Sequence, residues 1–304
     1  MRILLLGKNG QVGWELQRSL APLGEVIALD RQGEHKEGKL SGDLTDLDGL
    51  RQTLRTVKPQ VIVNAAAYTA VDRAEEEREL ATTINASAPG VLADEAKSLN
   101  SLLVHYSTDY VFNGSGNTPW KETDTPEPLN HYGASKLAGE HAIQASGCRH
   151  LIFRTSWVYA ARGRNFLATM AKLIREREVL KVVSDQIGAP TGAELIADVT
   201  ARALTQIGQN DPSEGLYHLV ASGETSWHGY ATFIAEWFRA QGFTVQAMPK
   251  CIEALPTSKY PTPAMRPLNS RLETSKLQRD FKLRLPDWHE GVSRALGEHI
   301  ATSI

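Results

Sequence analysis

Tyr132 and Lys136 stand four apart in the run Tyr132-Gly133-Ala134-Ser135-Lys136. On a helix that spacing puts both side chains on one face. A free phenol titrates near about 10. An ammonium beside it, together with the positive ring of an oxidised nicotinamide, favours the phenolate and eases proton exchange with a substrate oxygen. The same pattern also occurs on solvated helix faces, so its meaning depends on its surroundings. Upstream, Ser107-Thr108-Asp109-Tyr110-Val111-Phe112 closes an apolar segment. A Thr108 hydroxyl there would sit beside a phenol arriving from the next helix. Hydride reduction of a ketone needs that arrangement, because the oxygen requires a proton donor and a hydrogen-bonding clamp.

A second group lies at the start of the chain. Gly7, Gly10 and Gly13 form G-x-x-G-x-x-G between an apolar run and an amphipathic one. Such glycines permit a tight turn, a close approach of backbone to a pyrophosphate, and close helix–strand packing. The pyrophosphate then rests on a helix N-terminus. Asp30 ends the next apolar run, where a carboxylate can hold the adenosine ribose hydroxyls. Asp30 favours NADH, whereas its neighbour Arg31 can receive the extra phosphate of NADPH, and both cofactors stay open. Asp43, beside Leu44, either accepts from an adenine amino group or starts a helix near Thr45 and Asp46. The small side chains of Ala65, Ala66 and Ala67 let a flat ligand pass, although plain packing explains an alanine triplet too.

These residues need a frame that brings strand ends together. Strand-like runs at 2–7, 25–30, 60–67, 102–112 and 150–159 alternate with helix-like runs at 11–21, 47–57, 80–98, 132–145 and 165–177. That order predicts an α/β fold whose parallel sheet carries helices on both faces. The loop from 112 to 129 is rich in Gly, Pro, Thr and Asp, a length and composition that favour a functional segment. Beyond about residue 180 the rhythm becomes irregular, with four prolines in 255–267. The expected division is a dinucleotide-binding domain over 1–160 and a mainly substrate-binding lobe over 161–304. Strands near Lys181 and Leu216 are expected to be able to rejoin the main sheet.

The 304 residues carry a formal charge of −2, with 41% hydrophobic and 22% charged residues. That balance fits a globular chain and gives no basic stripe for nucleic acid. The charge run at 73–79 reads as a solvated helix face. Cys148 and Cys251 lack metal-like spacing and are too few for a disulfide framework. The opening apolar run stops at Gly7, too short for a signal segment or a membrane span. We therefore expect a cytoplasmic protein with no membrane partner.

The chain resembles the extended short-chain dehydrogenase/reductase superfamily and, more narrowly, the dTDP-4-dehydrorhamnose reductase family. The resemblance runs nearly end to end. It rests on GKNGQVG at 7–13, VIVNAAAYTAVD at 61–72, HYSTDYVF at 105–112, YGASKLAGE at 132–140, FRTSWVYA at 153–160, DQIGAPTGAE at 185–194 and RPLNSRL at 266–272. The glycine and Y-x-x-x-K motifs are widely shared, whereas the STDYVF, RTSWVY and NSRL stretches are far more specific. The resemblance implies a Rossmann-type doubly wound sheet with a smaller C-terminal substrate-binding lobe. It implies reduction of the C4 ketone of dTDP-4-dehydro-L-rhamnose to dTDP-L-rhamnose by NADH or NADPH.

By the same resemblance, Tyr132 is the proton donor, Lys136 holds the nicotinamide ribose and tunes Tyr132, and Thr108 bonds the reacting oxygen. Gly10, Gln11, Val12, Asp30, Asp43, Leu44, Ala65, Ala66, Ala67 and Tyr106 face the cofactor. Thr108, Asp109 and Trp157 face the sugar nucleotide. Arg266 and Arg271 can neutralise a diphosphate, because guanidinium matches its oxygens. Some relatives bind Mg²⁺ between two subunits, which makes Glu15, Glu194 and Glu298 candidate ligands and a homodimer the expected assembly. Related dehydratases carry Thr-Asp-Glu where this chain has Thr108-Asp109-Tyr110, so reduction fits better than loss of water. Two other readings stand beside this one: a non-catalytic regulatory subunit of the methionine adenosyltransferase type, and a sugar-nucleotide epimerase.

Overall fold

A computed structural model describes residues 1–32, 40–207 and 213–301. Six strands form one parallel sheet: β1 (Arg2–Leu6), β2 (Glu25–Leu29), β3 (Val61–Asn64), β4 (Leu102–Thr108), β5 (Arg149–Thr155) and β6 (Gly215–His218). Their order is β6-β5-β4-β3-β1-β2. Every residue of β3 and β4 is buried, as expected of a parallel sheet covered on both faces. The helices that cover it or flank it are α1 (Gln11–Leu20), α2 (Leu47–Val57), α3 (Ala88–Leu99), α4 (His131–Ser146), α5 (Phe166–Glu176), α6 (Ala193–Gln206), α7 (Trp227–Ala240) and α8 (Trp288–Ala301).

One face of the sheet packs Leu5, Val63, Val104 and Phe153 against Leu16 of α1 and Ile196 of α6. The other packs Leu4, Leu103 and Ile152 against Leu54, Leu92 and Ile143 of α2, α3 and α4. A third core joins α5, α7 and α8 through Ile174, Ile234, Phe238, Trp288 and Leu296. The expected doubly wound α/β architecture is therefore present. Chain segments after residue 160 return to the sheet: β6 pairs with β5, and α6 packs on α1. The strand near Lys181 does not return. Leu180–Val183 pairs with Ile252–Leu255 in a separate two-stranded sheet.

Local chemistry fixes the element ends that matter for the site. The side chain of Asn130 accepts from the Gly133 N–H at 2.8 Å and starts α4, and Gly147, at φ 68°, stops it. β4 ends at Thr108 rather than continuing to 112. The Thr108 hydroxyl accepts the Tyr110 N–H at 3.1 Å, which bends Asp109–Val111 into a 3-10 turn. The helix expected over 80–98 is interrupted by a π-helical turn, Thr83–Ser87, before α3. Pro89 explains it, since proline has no N–H for the Asn85 carbonyl.

Candidate active site

The strand order reverses beside β1, so the carboxyl ends of β1 and β3 open a crevice where α/β sheets bind ligands. The glycine turn lies in its floor. Gly7 has φ 87°, and a Cβ there would come 2.7 Å from the Ala66 nitrogen. A Cβ on Gly13 would stand 2.0 Å from the Gly7 carbonyl oxygen. Gly10 precedes α1 and gives it no side-chain cap. The first amides of α1 thus remain available for an anion, and the turn fits the diphosphate of a dinucleotide.

Further out, Asp30 accepts from Asn9 Nδ2 at 2.6 Å and from the Gln32 N–H at 2.9 Å, with Lys8 Nζ at 3.7 Å. Arg31 is exposed and pairs with Asp43 at 3.5 Å. Asp43 also accepts from the Thr45 N–H and hydroxyl. Asp46, not Asp43, caps α2. Gln11 is held by Asn165 Nδ2 at 2.8 Å, and Val12 packs on the core. The side chains of two expected cofactor residues, Leu44 and Tyr106, point into the core. The Leu44 side chain is buried in the α2 core. The Tyr106 ring is buried too, its hydroxyl 2.8 Å from Thr200 Oγ1. Alternation along a strand sends Tyr106 inward, so what it offers the site is its carbonyl.

That carbonyl accepts from Lys136 Nζ at 2.6 Å. Lys136 is fully enclosed, and burial lowers it to about 8, against the opposing pull of Glu140. Tyr132 is half-buried, one turn earlier on α4. Desolvation pushes its phenol up to about 12, with a hydrogen bond to Thr108 lowering it and the charge of Asp109 raising it. The direction is opposite to the one the motif predicts, because loss of water and the Asp109 charge both raise the phenol and only the Thr108 hydrogen bond opposes them. Thr108 also donates to Asp109 Oδ1 at 3.1 Å. The other Asp109 oxygen is buried without a partner, and burial lifts this carboxyl to about 7. The Tyr110 ring packs edge-on against Tyr132 at 5.8 Å.

The outer wall comes from later parts of the chain. Trp157 sits at φ 49° after β5 and stacks on Trp227 of α7 with ring centres 3.7 Å apart. A cavity of about 300 Å³ runs past Gly188, Ala189, Ser222 and Leu272 to Arg271. Arg271 is held there by Glu224 at 2.7 Å and by Asn269 at 3.1 Å. Arg266 pairs with Asp72 at 2.7 Å.

The family described as RmlD substrate binding domain matches residues 1–300. The dTDP-4-dehydrorhamnose reductase of Salmonella typhimurium is 54% identical over 304 residues, covering 100% of this chain and 99% of that protein. That of Escherichia coli K12 is 53% identical, with the same coverage. This chain belongs to the dTDP-4-dehydrorhamnose reductase family. Among solved structures, the dTDP-4-dehydrorhamnose reductase of Bacillus anthracis in complex with NADP matches with TM-score 0.86 and 33% identity, covering 98% of this chain and 99% of that one.

As a member of the reductase family, the chain also carries residues that motif reading passed over. Asn64 and His105 lie behind Lys136, and Ser270 acts on Asp109. Their signal was present in NAAA and HYSTDYVF, but only the fold shows that these runs meet. The three candidate metal carboxylates lie within electrostatic reach of one another: burial raises the Glu194 carboxyl, and the charges of Glu15 and Glu298 raise it further. Glu15 pairs with Arg18 at 3.5 Å, and Glu298 with Arg294 at 3.0 Å. Among the described residues no group of three or more His, Cys, Asp or Glu is placed to hold an ion.

Proposed function

We propose that this chain reduces the C4 ketone of dTDP-4-dehydro-L-rhamnose to dTDP-L-rhamnose with NADH or NADPH, a step toward rhamnose-containing cell-surface polysaccharide. The observation that carries the reading is the meeting of Thr108, Tyr132 and buried Lys136 on β4 and α4, next to the glycine crevice. A nicotinamide dinucleotide, when bound, supplies the hydride. Gly7, Gly10 and Gly13 give it room, the α1 amides take its diphosphate, and Asp30 or Arg31 takes its adenosine ribose. Tyr132 holds its proton at neutral pH and so is in the acid form that a forming alkoxide requires. Thr108 clamps the same oxygen. Lys136 is placed to hold the nicotinamide ribose.

On the substrate side, Asp109 and Trp157 hold the sugar, and Arg271 takes the diphosphate once Glu224 gives way. Residues 1–160 carry the cofactor in this reading, and 161–304 mainly the sugar nucleotide. Two unpaired cysteines support a cytoplasmic setting. Carboxylates suit Mg²⁺, but Glu15, Glu194 and Glu298 need a second copy of the chain to complete a site. Unchanged activity and solution mass after EDTA treatment would remove both the ion and an ion-linked homodimer. The decisive assay follows NAD(P)H absorbance with dTDP-4-dehydro-L-rhamnose. Wild type should oxidise the cofactor, and Tyr132→Phe should turn over about 10²–10⁴-fold more slowly. Inactivity of the wild type removes the reading, and wild-type turnover in the variant removes the role of Tyr132.

A further inference from the structure

A buried line of polar groups runs from the crevice to Lys136. The Ala66 N–H donates to Asn64 Oδ1 at 3.2 Å. Asn64 Nδ2 lies 3.1 Å from His105 Nδ1, and His105 Nε2 lies 3.2 Å from Lys136 Nζ. Asn64, His105 and Lys136 are 1%, 1% and 2% exposed, so bulk water has no direct access to them.

The donors and acceptors along this line are not independent. A backbone N–H can only donate, so the Asn64 atom facing Ala66 is the oxygen. The amide nitrogen then faces His105 and donates to it. His105 Nδ1 must accept, and a neutral imidazole that accepts at Nδ1 carries its hydrogen on Nε2. That hydrogen points at Lys136 Nζ. An uncharged amine can accept it, whereas an ammonium has no lone pair to do so. A charged ring does not resolve the conflict, since burial and the Lys136 charge both drive His105 well below its ordinary range. To face an ammonium, His105 must carry its hydrogen on Nδ1 instead. Asn64 must then turn its oxygen toward His105, and the Ala66 N–H loses its internal acceptor.

We propose that Asn64 and His105 are positioning residues that tie the proton on Lys136 to the amide of Ala66. In one arrangement Lys136 is neutral and the Ala66 N–H is satisfied internally. In the other, richer by one proton, Lys136 is charged and the Ala66 N–H is free to bond an acceptor in the crevice. Dinucleotide binding that uses this N–H therefore favours charged Lys136, and charging Lys136 favours binding by the same factor. This consequence rests on the reading of residues 65–67 as the cofactor wall. The groups around Lys136 allow both forms. Glu140, one turn along α4, raises its proton affinity but is itself held by Arg154 of β5 at 2.9 and 2.6 Å. Tyr132 lies one turn the other way, and Asp109 at the end of β4 acts on Tyr132. The balance leaves Lys136 near about 8.

Nitrogen-15 NMR of histidine-labelled protein reads the His105 tautomer directly, the signal being assigned by its loss in His105→Gln. Spectra taken about two pH units either side of the Lys136 titration should show a neutral ring throughout. Its hydrogen should be on Nε2 at the alkaline end and on Nδ1 at the acid end. A single tautomer at both ends overturns the proposal. NADH and NADPH affinity, measured without substrate, should fall as pH rises through the same titration. In Asn64→Asp the two carboxylate oxygens satisfy Ala66 and His105 together, so that fall should move up by about one pH unit or more, or vanish. An unchanged fall in this variant also overturns the proposal. A tautomer switch in a protein that binds neither dinucleotide supports the relay and removes the cofactor reading instead.

Discussion

Thr108 has one hydroxyl hydrogen, and Asp109 already receives it. To clamp a substrate oxygen it must turn away from that carboxylate, which then relies on Ser270 and nearby backbone groups. Thr108→Val removes the donor at nearly constant volume. Its kcat should fall about 10- to 100-fold, as loss of a hydrogen bond of about 1.5–3 kcal/mol implies. Thr108→Ser should recover most of it, and equal defects in both variants would assign Thr108 to packing alone. Arg31 is a second residue whose role separates cleanly. It is exposed and paired only loosely with Asp43, so Arg31→Ala should leave folding intact and raise KM for NADPH more than for NADH. Equal effects on the two cofactors would remove Arg31 from the choice between them.

At the scale of elements, the registration of α4 on β5 decides where Tyr132 and Lys136 stand. Glu140 and Arg154 form a buried two-bond pair between them, 1% and 3% exposed. Removing one partner strands the other charge, so Glu140→Ala should cost about 3–5 kcal/mol in denaturant unfolding. A loss under about 1 kcal/mol would show that water reaches Arg154. The sequence made much of this level legible. Apolar period, the glycines and the Y-x-x-x-K spacing are local signals, and they locate the strands, α1 and α4. The π turn before α3 was not legible, because a proline within helical periodicity can kink, stop or widen a helix. The burial of Tyr106 and Leu44 was equally hidden, since a motif names residues without saying which face of the backbone they take. The Asn64–His105–Lys136 line needs β3, β4 and α4 together, and no spacing within one segment encodes it.

Across the whole molecule, stability responds to pH through the buried groups around the site. The Asp109 carboxyl lies at about 7 in the fold against an ordinary 3.8. Its stabilising contribution is complete below the ordinary value and is lost as pH rises toward 7. Asp109→Asn carries no such charge in either state. Relative to wild type, the variant should gain stability between pH 4 and pH 8, by up to about 4 kcal/mol. An equal difference at both pH values would mean that Asp109 is ionised in the fold. His218 runs the other way. Buried against Arg154, it is lowered to about 3 and resists protonation, so its contribution is lost as pH falls below about 6.5. The Trp157–Trp227 stack spans the outer wall, and Gly188 at the cavity edge would place a Cβ 2.9 Å from the Trp157 ring. Two indoles that close couple optically, and the protein carries its own reporter of ligand entry. A paired circular-dichroism band should be present in wild type, absent in Trp227→Phe, and altered when a dTDP-sugar fills the cavity without any turnover.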